Sequence, residues 1–147
     1  MSPPDFVLEI ELRATRDRVR SFLCDLHNHR DLHPLIVAVE ELAADPARPS
    51  ARRYRITDRV PVGPFGMTIV YTAEVEALSA GLVRGEAWQA PGIHLTTEYE
   101  LADHDGGTRL VERVSVEAPW LLRRFTIRQA RAAHRTTLDR MKGVLEE

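Results

Sequence analysis

Phe6, Leu8, Ile10 and Leu12 interleave with Val7, Glu9 and Glu11, a period-two pattern that predicts a strand with one face buried. Thr15 then stands as an N-cap, and Val19, Phe22, Leu23 and Leu26 recur on one side of a helix. A short polar second helix is expected over about Asn28 to Leu32, stopped by Pro34, which disfavours helical backbone in the residue before it. An apolar run from Leu35 to Leu42 follows, and then the period of two returns. Tyr54, Ile56 and Val60 alternate with Arg53, Arg55 and Arg59, and Met67, Ile69, Tyr71, Ala73 and Val75 with Thr68, Thr72, Glu74 and Glu76. Turn chemistry separates the strands at Pro61–Gly66, Ser79-Ala80-Gly81, Pro91-Gly92 and Asp105-Gly106-Gly107. Such short spacings imply antiparallel hairpins, because parallel crossovers need a dozen residues or more.

After Pro119 the period changes. Trp120 to Glu147 contains no Pro and one Gly, which predicts a single helix of about seven turns, ~40 Å long. Arg124, Arg128, Arg131, Arg135 and Lys142 fall in one narrow sector. Leu122, Thr126, Ala130, Ala133, Thr137, Met141 and Val144 lie opposite and should rest on the sheet. The middle of that second row, Thr126-Ala130-Ala133-Thr137, is small throughout. Helix propensity alone does not explain it, because Thr is a poor helix former. An internal cavity is the expectation.

The order strand, two helices, long antiparallel meander and C-terminal helix resembles the helix-grip superfamily of START domains, Bet v 1-type proteins and polyketide cyclases. The resemblance runs from Phe6 to Leu145. It is carried by the first strand with Ala14-Thr15-Arg16-Asp17-Arg18-Val19, by Asp25-Leu26-His27-Asn28-His29-Arg30-Asp31-Leu32-His33-Pro34, and by Thr108-Arg109-Leu110-Val111-Glu112-Arg113-Val114 with the helix after Ala118-Pro119. Many relatives carry Trp where this chain has Leu32. The resemblance implies an α+β fold in which a seven-stranded antiparallel sheet curls around the C-terminal helix, with two short helices after the first strand. It also implies a hydrophobic cavity bordered by the third-to-fourth and fifth-to-sixth hairpins. By position its mouth would hold Gly63, Pro64, Phe65, Pro91 and His94. The superfamily holds carriers, sensors and enzymes, so the fold does not decide activity.

Composition narrows the setting. The 147 residues are 44% apolar and 29% charged, and they are expected to form one domain over residues 1–147. Ala43-Ala44-Asp45-Pro46-Ala47-Arg48-Pro49-Ser50 is too short a linker to divide them. No apolar run reaches the ~20 residues of a membrane-spanning helix, and the first residues lack a secretory pattern. Cys24 is the lone cysteine, so no internal disulfide forms and a cytoplasmic location is expected. Nineteen of the 20 basic residues are Arg, yet the net charge is -2, and no nucleic-acid partner is expected. The Arg stripe of the last helix lacks interleaved aromatics and reads as a solvated face.

No phosphate loop, nucleophile elbow or zinc helix is present in the sequence, and no cofactor is expected. His27, His29 and His33 cluster with Asp25, but Pro34 takes His33 out of helical register. They read as solvated or capping residues, with no metal site. More telling are charges on apolar strand parities. Glu112 shares parity with Leu110, Val114 and Val116; Asp58 with Tyr54, Ile56 and Val60; Arg84 and Glu86 with Leu82 and Trp88. They either pair around a wet cavity or form an ion-pair cluster on the convex face. Tyr71, Trp88 and Tyr99 sit on consecutive strands as candidate flat walls of the cavity. His94 is out of phase with Ile93, Leu95 and Thr97 and should face solvent or the mouth. The expected function is binding of a small hydrophobic or aromatic ligand as carrier or sensor. In that reading Tyr71, Arg84, Trp88 and Tyr99 face the ligand from the sheet, and Thr126, Ala130, Ala133 and Thr137 from the helix. The alternatives are a polyketide cyclase or aromatase using Glu112, Asp58 or Glu86 as acid or base, and an interaction protein using the Arg helix.

Overall fold

The computed structural model describes residues 3–146. Seven strands, β1 (Phe6–Leu12), β2 (Ile36–Leu42), β3 (Arg52–Val62), β4 (Phe65–Ser79), β5 (Leu82–Gln89), β6 (Ile93–His104) and β7 (Gly107–Glu117), form one antiparallel sheet. Its order is β1-β7-β6-β5-β4-β3-β2. Consecutive strands from β2 to β7 pair as hairpins, and β1 closes on β7. The sheet curls against α2 (Trp120–Leu145), and α1 (Arg16–Cys24) fills the gap after β1.

Local chemistry accounts for the joints. Thr15 caps α1 by accepting the Arg18 N–H at 3.2 Å. The second helix begins and ends earlier than Asn28–Leu32: it is a 3₁₀ turn over Leu26–His29. Asp25 accepts the His27 N–H at 3.0 Å and so starts the turn before Asn28. Two tight hairpins use positive φ where the turn requires it. Gly63 (φ 57°) precedes Pro64 between the paired Val62 and Phe65, and Asp105 (φ 47°) with Gly106 (φ 81°) joins β6 to β7.

Directly paired residues share a face of an antiparallel sheet, so the register assigns every strand. Tyr54, Ile56, Asp58 and Val60 of β3 lie on the inner face with Ala73, Tyr71, Ile69 and Met67 of β4. Val83, Gly85 and Ala87 of β5 continue that face through Tyr99, Thr97 and Leu95 of β6 to Glu112, Val114 and Val116 of β7. Phe6 and Leu8 of β1 complete it. The solid core lies at one end, where Leu8, Leu12, Val19, Leu23 and Leu110 meet Leu138, Met141 and Leu145 of α2. Leu145 takes the inward place expected for Val144, which is exposed. The other end is open. No helix among the described residues is long and apolar enough to cross a membrane.

Candidate functional site

A cavity of about 410 Å³ lies between the inner face of the sheet and α2. Its walls explain its existence. Ala130 and Ala133 on the helix look across at Ala73, Gly85 and Ala87 on the sheet, so two facing rows of short side chains leave space that neither fills. Met67, Pro91 from the fifth-to-sixth hairpin, and Phe125 of α2 are exposed members of the lining, and Leu122 is half-buried. Met67 and Phe125 are both about half exposed there. Trp120, Leu121 and Phe65 add exposed apolar surface near the start of α2 and the β3–β4 turn.

Polar groups interrupt the apolar lining at defined places. Glu112 sits on β7 between Leu8 and Tyr99 of its neighbouring strands and is 1% exposed. Its carboxylate pairs with Nδ1 of His134, from the middle of α2. Burial disfavours charge on His134, but the Glu112 carboxylate, by charge and hydrogen bond, with Asp58 behind it, raises the imidazole above its ordinary range. His33 meets His134 edge to face, with ring centroids 6.2 Å apart. Burial pushes His33 down to about 3, helped by the neighbouring charges of His134, His29 and Arg140. His29 is buried and pushed down to about 4, chiefly by burial. On β3, Asp58 accepts the Tyr71 hydroxyl at 3.3 Å. Burial lifts Asp58 to about 6, against the opposing pull of Tyr71 and His134. Burial and the Glu112 charge hold the Tyr99 hydroxyl well above its usual range.

Of the residues singled out from the sequence, Asp58, Glu112, Tyr71, Tyr99, Thr126, Ala130, Ala133, Thr137 and Pro91 line the cavity. Others are corrected. Arg84, Glu86 and Trp88 carry their side chains on the outer face, because β5 presents Val83, Gly85 and Ala87 inward. Glu86 contributes to the wall between Gly85 and Ala87, yet its carboxylate binds Arg48 at 3.3 Å, Arg84 at 3.1 Å and His94 at 3.1 Å. Arg48 also reaches Glu74 at 2.9 Å, so this is the convex-face ion cluster. His94 stacks on Trp88 with ring centroids 5.3 Å apart, outside the cavity. Gly63, Pro64 and Phe65 form the exposed tip of their hairpin, beyond the lining. The lining also includes His29 and His33, which sequence reasoning left as solvated or capping residues. His134 was missed altogether. Its signal was its place four residues after Ala130 and three before Thr137, on the inward row. Among the described residues, no group of three His, Cys, Asp or Glu is placed to hold a metal ion.

A curled antiparallel sheet gripping one long helix over an internal cavity defines a helix-grip protein, the fold of START, Bet v 1-type and polyketide cyclase proteins. Within that fold the chain belongs to the family described as a domain of unknown function (DUF7053), whose model matches residues 8–147. No curated protein matches it in sequence. Its structure is similar to a START superfamily protein from Mycobacterium smegmatis, with TM-score 0.73, 16% identity and 96% of each chain covered. It is also similar to TTHA0849 from Thermus thermophilus, with TM-score 0.71, 18% identity and 90% of each chain covered. The di-domain ARO/CYC StfQ from the steffimycin biosynthetic pathway aligns with TM-score 0.75 and 13% identity. That alignment covers 96% of this chain and 50% of StfQ, so the chain spans half of that protein's length.

Proposed function

We propose that the protein binds a small hydrophobic ligand, a lipid, a polyketide or a similar molecule, inside the cavity, as a carrier or sensor in the cytoplasm. The observation that carries this reading is the space itself: about 410 Å³, walled mainly by apolar side chains. That is within the size range of small-molecule sites, roughly 300–1,000 Å³. A closed core would have been more stable, since each unfilled volume costs packing energy. The reading is tested by native mass spectrometry of the purified protein, which should reveal a co-purifying apolar molecule. Ala130→Phe should remove that mass while thermal unfolding stays cooperative, at an overpacking cost of about 1–3 kcal/mol at most. Retention of the molecule in the Phe variant would place binding elsewhere.

A second reading, an enzyme of the polyketide cyclase or aromatase type, draws support from one feature. The Glu112–His134 pair is the kind of buried acid–base partner that proton transfer requires.

A further inference from the structure

The cavity carries more ionisable groups than apolar binding needs. A buried ion pair generally does no better for stability than well-packed apolar residues of the same volume. Burial therefore gives no reason for Glu112 and His134 to be there, whereas their arrangement suggests one. The bond from Glu112 to Nδ1 orients the imidazole and, in its neutral form, places the ring proton on Nδ1. Nε2 is then a base, and it has no hydrogen-bond partner among the described residues although His134 borders the cavity. His33 is set the opposite way. Its Nδ1 accepts the Leu35 N–H at 3.2 Å, so the neutral ring carries its proton on Nε2 and is a donor. The two rings lie 6.2 Å apart at 76°. His29 supplies an independent sign that something polar belongs here. It lines the same cavity, is 9% exposed, and its Nε2 is buried without a partner among the described residues.

A base nitrogen on one ring and a neutral donor nitrogen on another, with ring centroids 6.2 Å apart, match a group that gives up a proton and then needs a hydrogen bond on the atom left behind. Resting on the cavity reading above, we propose that Glu112, His134 and His33 bind a weakly acidic hydroxyl, a phenol or an enol, carried on an apolar body, and take its proton onto His134. The O–H bond breaks with its electron pair left on oxygen, and an N–H bond forms at Nε2 of His134. Glu112 faces the resulting imidazolium, and the oxyanion accepts the Nε2–H of His33. The site's net charge is the same before and after, so no uncompensated charge is buried. Because His33 stays neutral down to about pH 3, its donor persists throughout. Asp58, on the facing strand β3, is the other charged group that His134 senses, and its bond from Tyr71 holds it in place.

Two probes of one shape separate this idea from simple burial: 4-nitrophenol, whose phenolate absorbs in the visible, and 4-nitroanisole, which has no acidic proton. At a pH below the phenol's own pKa, adding wild-type protein should raise the phenolate band, and calorimetry should show that 4-nitroanisole binds too. His33→Gln should cut the phenolate gain per bound 4-nitrophenol roughly tenfold, the worth of one hydrogen bond to a charged group. Glu112→Gln should abolish the gain. If both probes bind and 4-nitrophenol stays protonated in the wild type, the proton-accepting site is overturned while the cavity reading stands. If neither probe binds up to its solubility limit, both fail together. The wild-type measurement decides alone, so a variant that does not fold leaves the outcome intact.

Discussion

The two halves of α2 pack on the same sheet and do opposite things. From Ala133 onward the inward residues Ala133, Thr137, Leu138, Met141 and Leu145 are all buried. Before Ala133 no residue of the helix is buried, and Leu122, Thr126, Gln129 and Ala130 stand over open space. Side-chain size follows this difference: Leu138, Met141 and Leu145 meet Val19, Leu23 and Leu110, whereas Ala130 shares the cavity with the short row Ala73, Gly85 and Ala87. A cavity in this fold is therefore two facing rows of small residues, and the C-terminal half of the helix supplies the stability that the open half gives up. The ionisable groups bridge the two halves: His134 follows Ala133 on α2, Glu112 pairs across the sheet with Leu8 of the core, and His33 feels Arg140.

The contrast breaks most visibly in the packed half. Leu138→Ala and Met141→Ala should each cost about 2–5 kcal/mol, because both side chains are buried and their loss enlarges the cavity that they border. Leu122→Ala, whose side chain borders space already empty, should cost well under about 1 kcal/mol. Urea midpoints read both. Equal losses at the two ends would mean that the open half closes in solution and that the division is not real.

Acid should act through the ionisable groups that line the cavity. His33 falls on folding from 6.5 to about 3, so the unfolded chain binds the extra proton between those values. Its contribution is present near neutrality and is lost as pH falls through that window. His29, lowered from 6.5 to about 4, acts in the same sense. Asp58 rises from 3.8 to about 6, so there the folded chain holds the extra proton. Its penalty near neutrality is relieved as pH falls through its own window. The two effects oppose each other between roughly pH 6 and pH 4. Asp58→Asn keeps the acceptor for Tyr71 but removes the relief. Its stability should therefore fall more steeply with acid than that of the wild type, by on the order of 1–2 kcal/mol over that span. Parallel denaturation curves at pH 7, 6, 5 and 4 check it, and parallel profiles of wild type and variant would remove Asp58 from the buried set.

How much of this was legible in the sequence depends on residue size as well as polarity. The strands, hairpins and last helix followed from periodicity and turn chemistry, the curled seven-stranded sheet from the resemblance, and Glu112 was placed inward because Leu110, Val114 and Val116 share its parity and are buried. The same rule failed on β5. Both parities there hold apolar residues, and the larger pair, Leu82 and Trp88, pointed to the wrong face. A strand that lines a cavity turns small residues inward, so Gly85 and Ala87 carried the information and hydrophobicity hid it. His134 was hidden for a related reason. It lies in a helix dominated by Arg, and its partner Glu112 is 22 residues away, a distance no local pattern spans. The fate of His29 and His33 depended on how α2 covers the turn that holds them.

The smallest effect tests the face assignment of β5. Glu86 and Glu112 are both largely covered carboxylates, one on each side of the sheet: Glu112 meets His134 inside, and Glu86 meets Arg48, Arg84 and His94 outside. Arg84 is the most exposed of Glu86's partners, with 42% of its side chain accessible, and Arg48 and His94 remain when it is removed. Arg84→Gln should therefore shift the urea midpoint by less than about 0.5 kcal/mol, and 4-nitroanisole affinity should be unchanged. A tenfold loss of affinity at wild-type stability would mean that Arg84 reaches the ligand. The outward orientation of Arg84, Glu86 and Trp88 would then be wrong, and the short row facing Ala130 would have to be redrawn around Leu82 and Trp88.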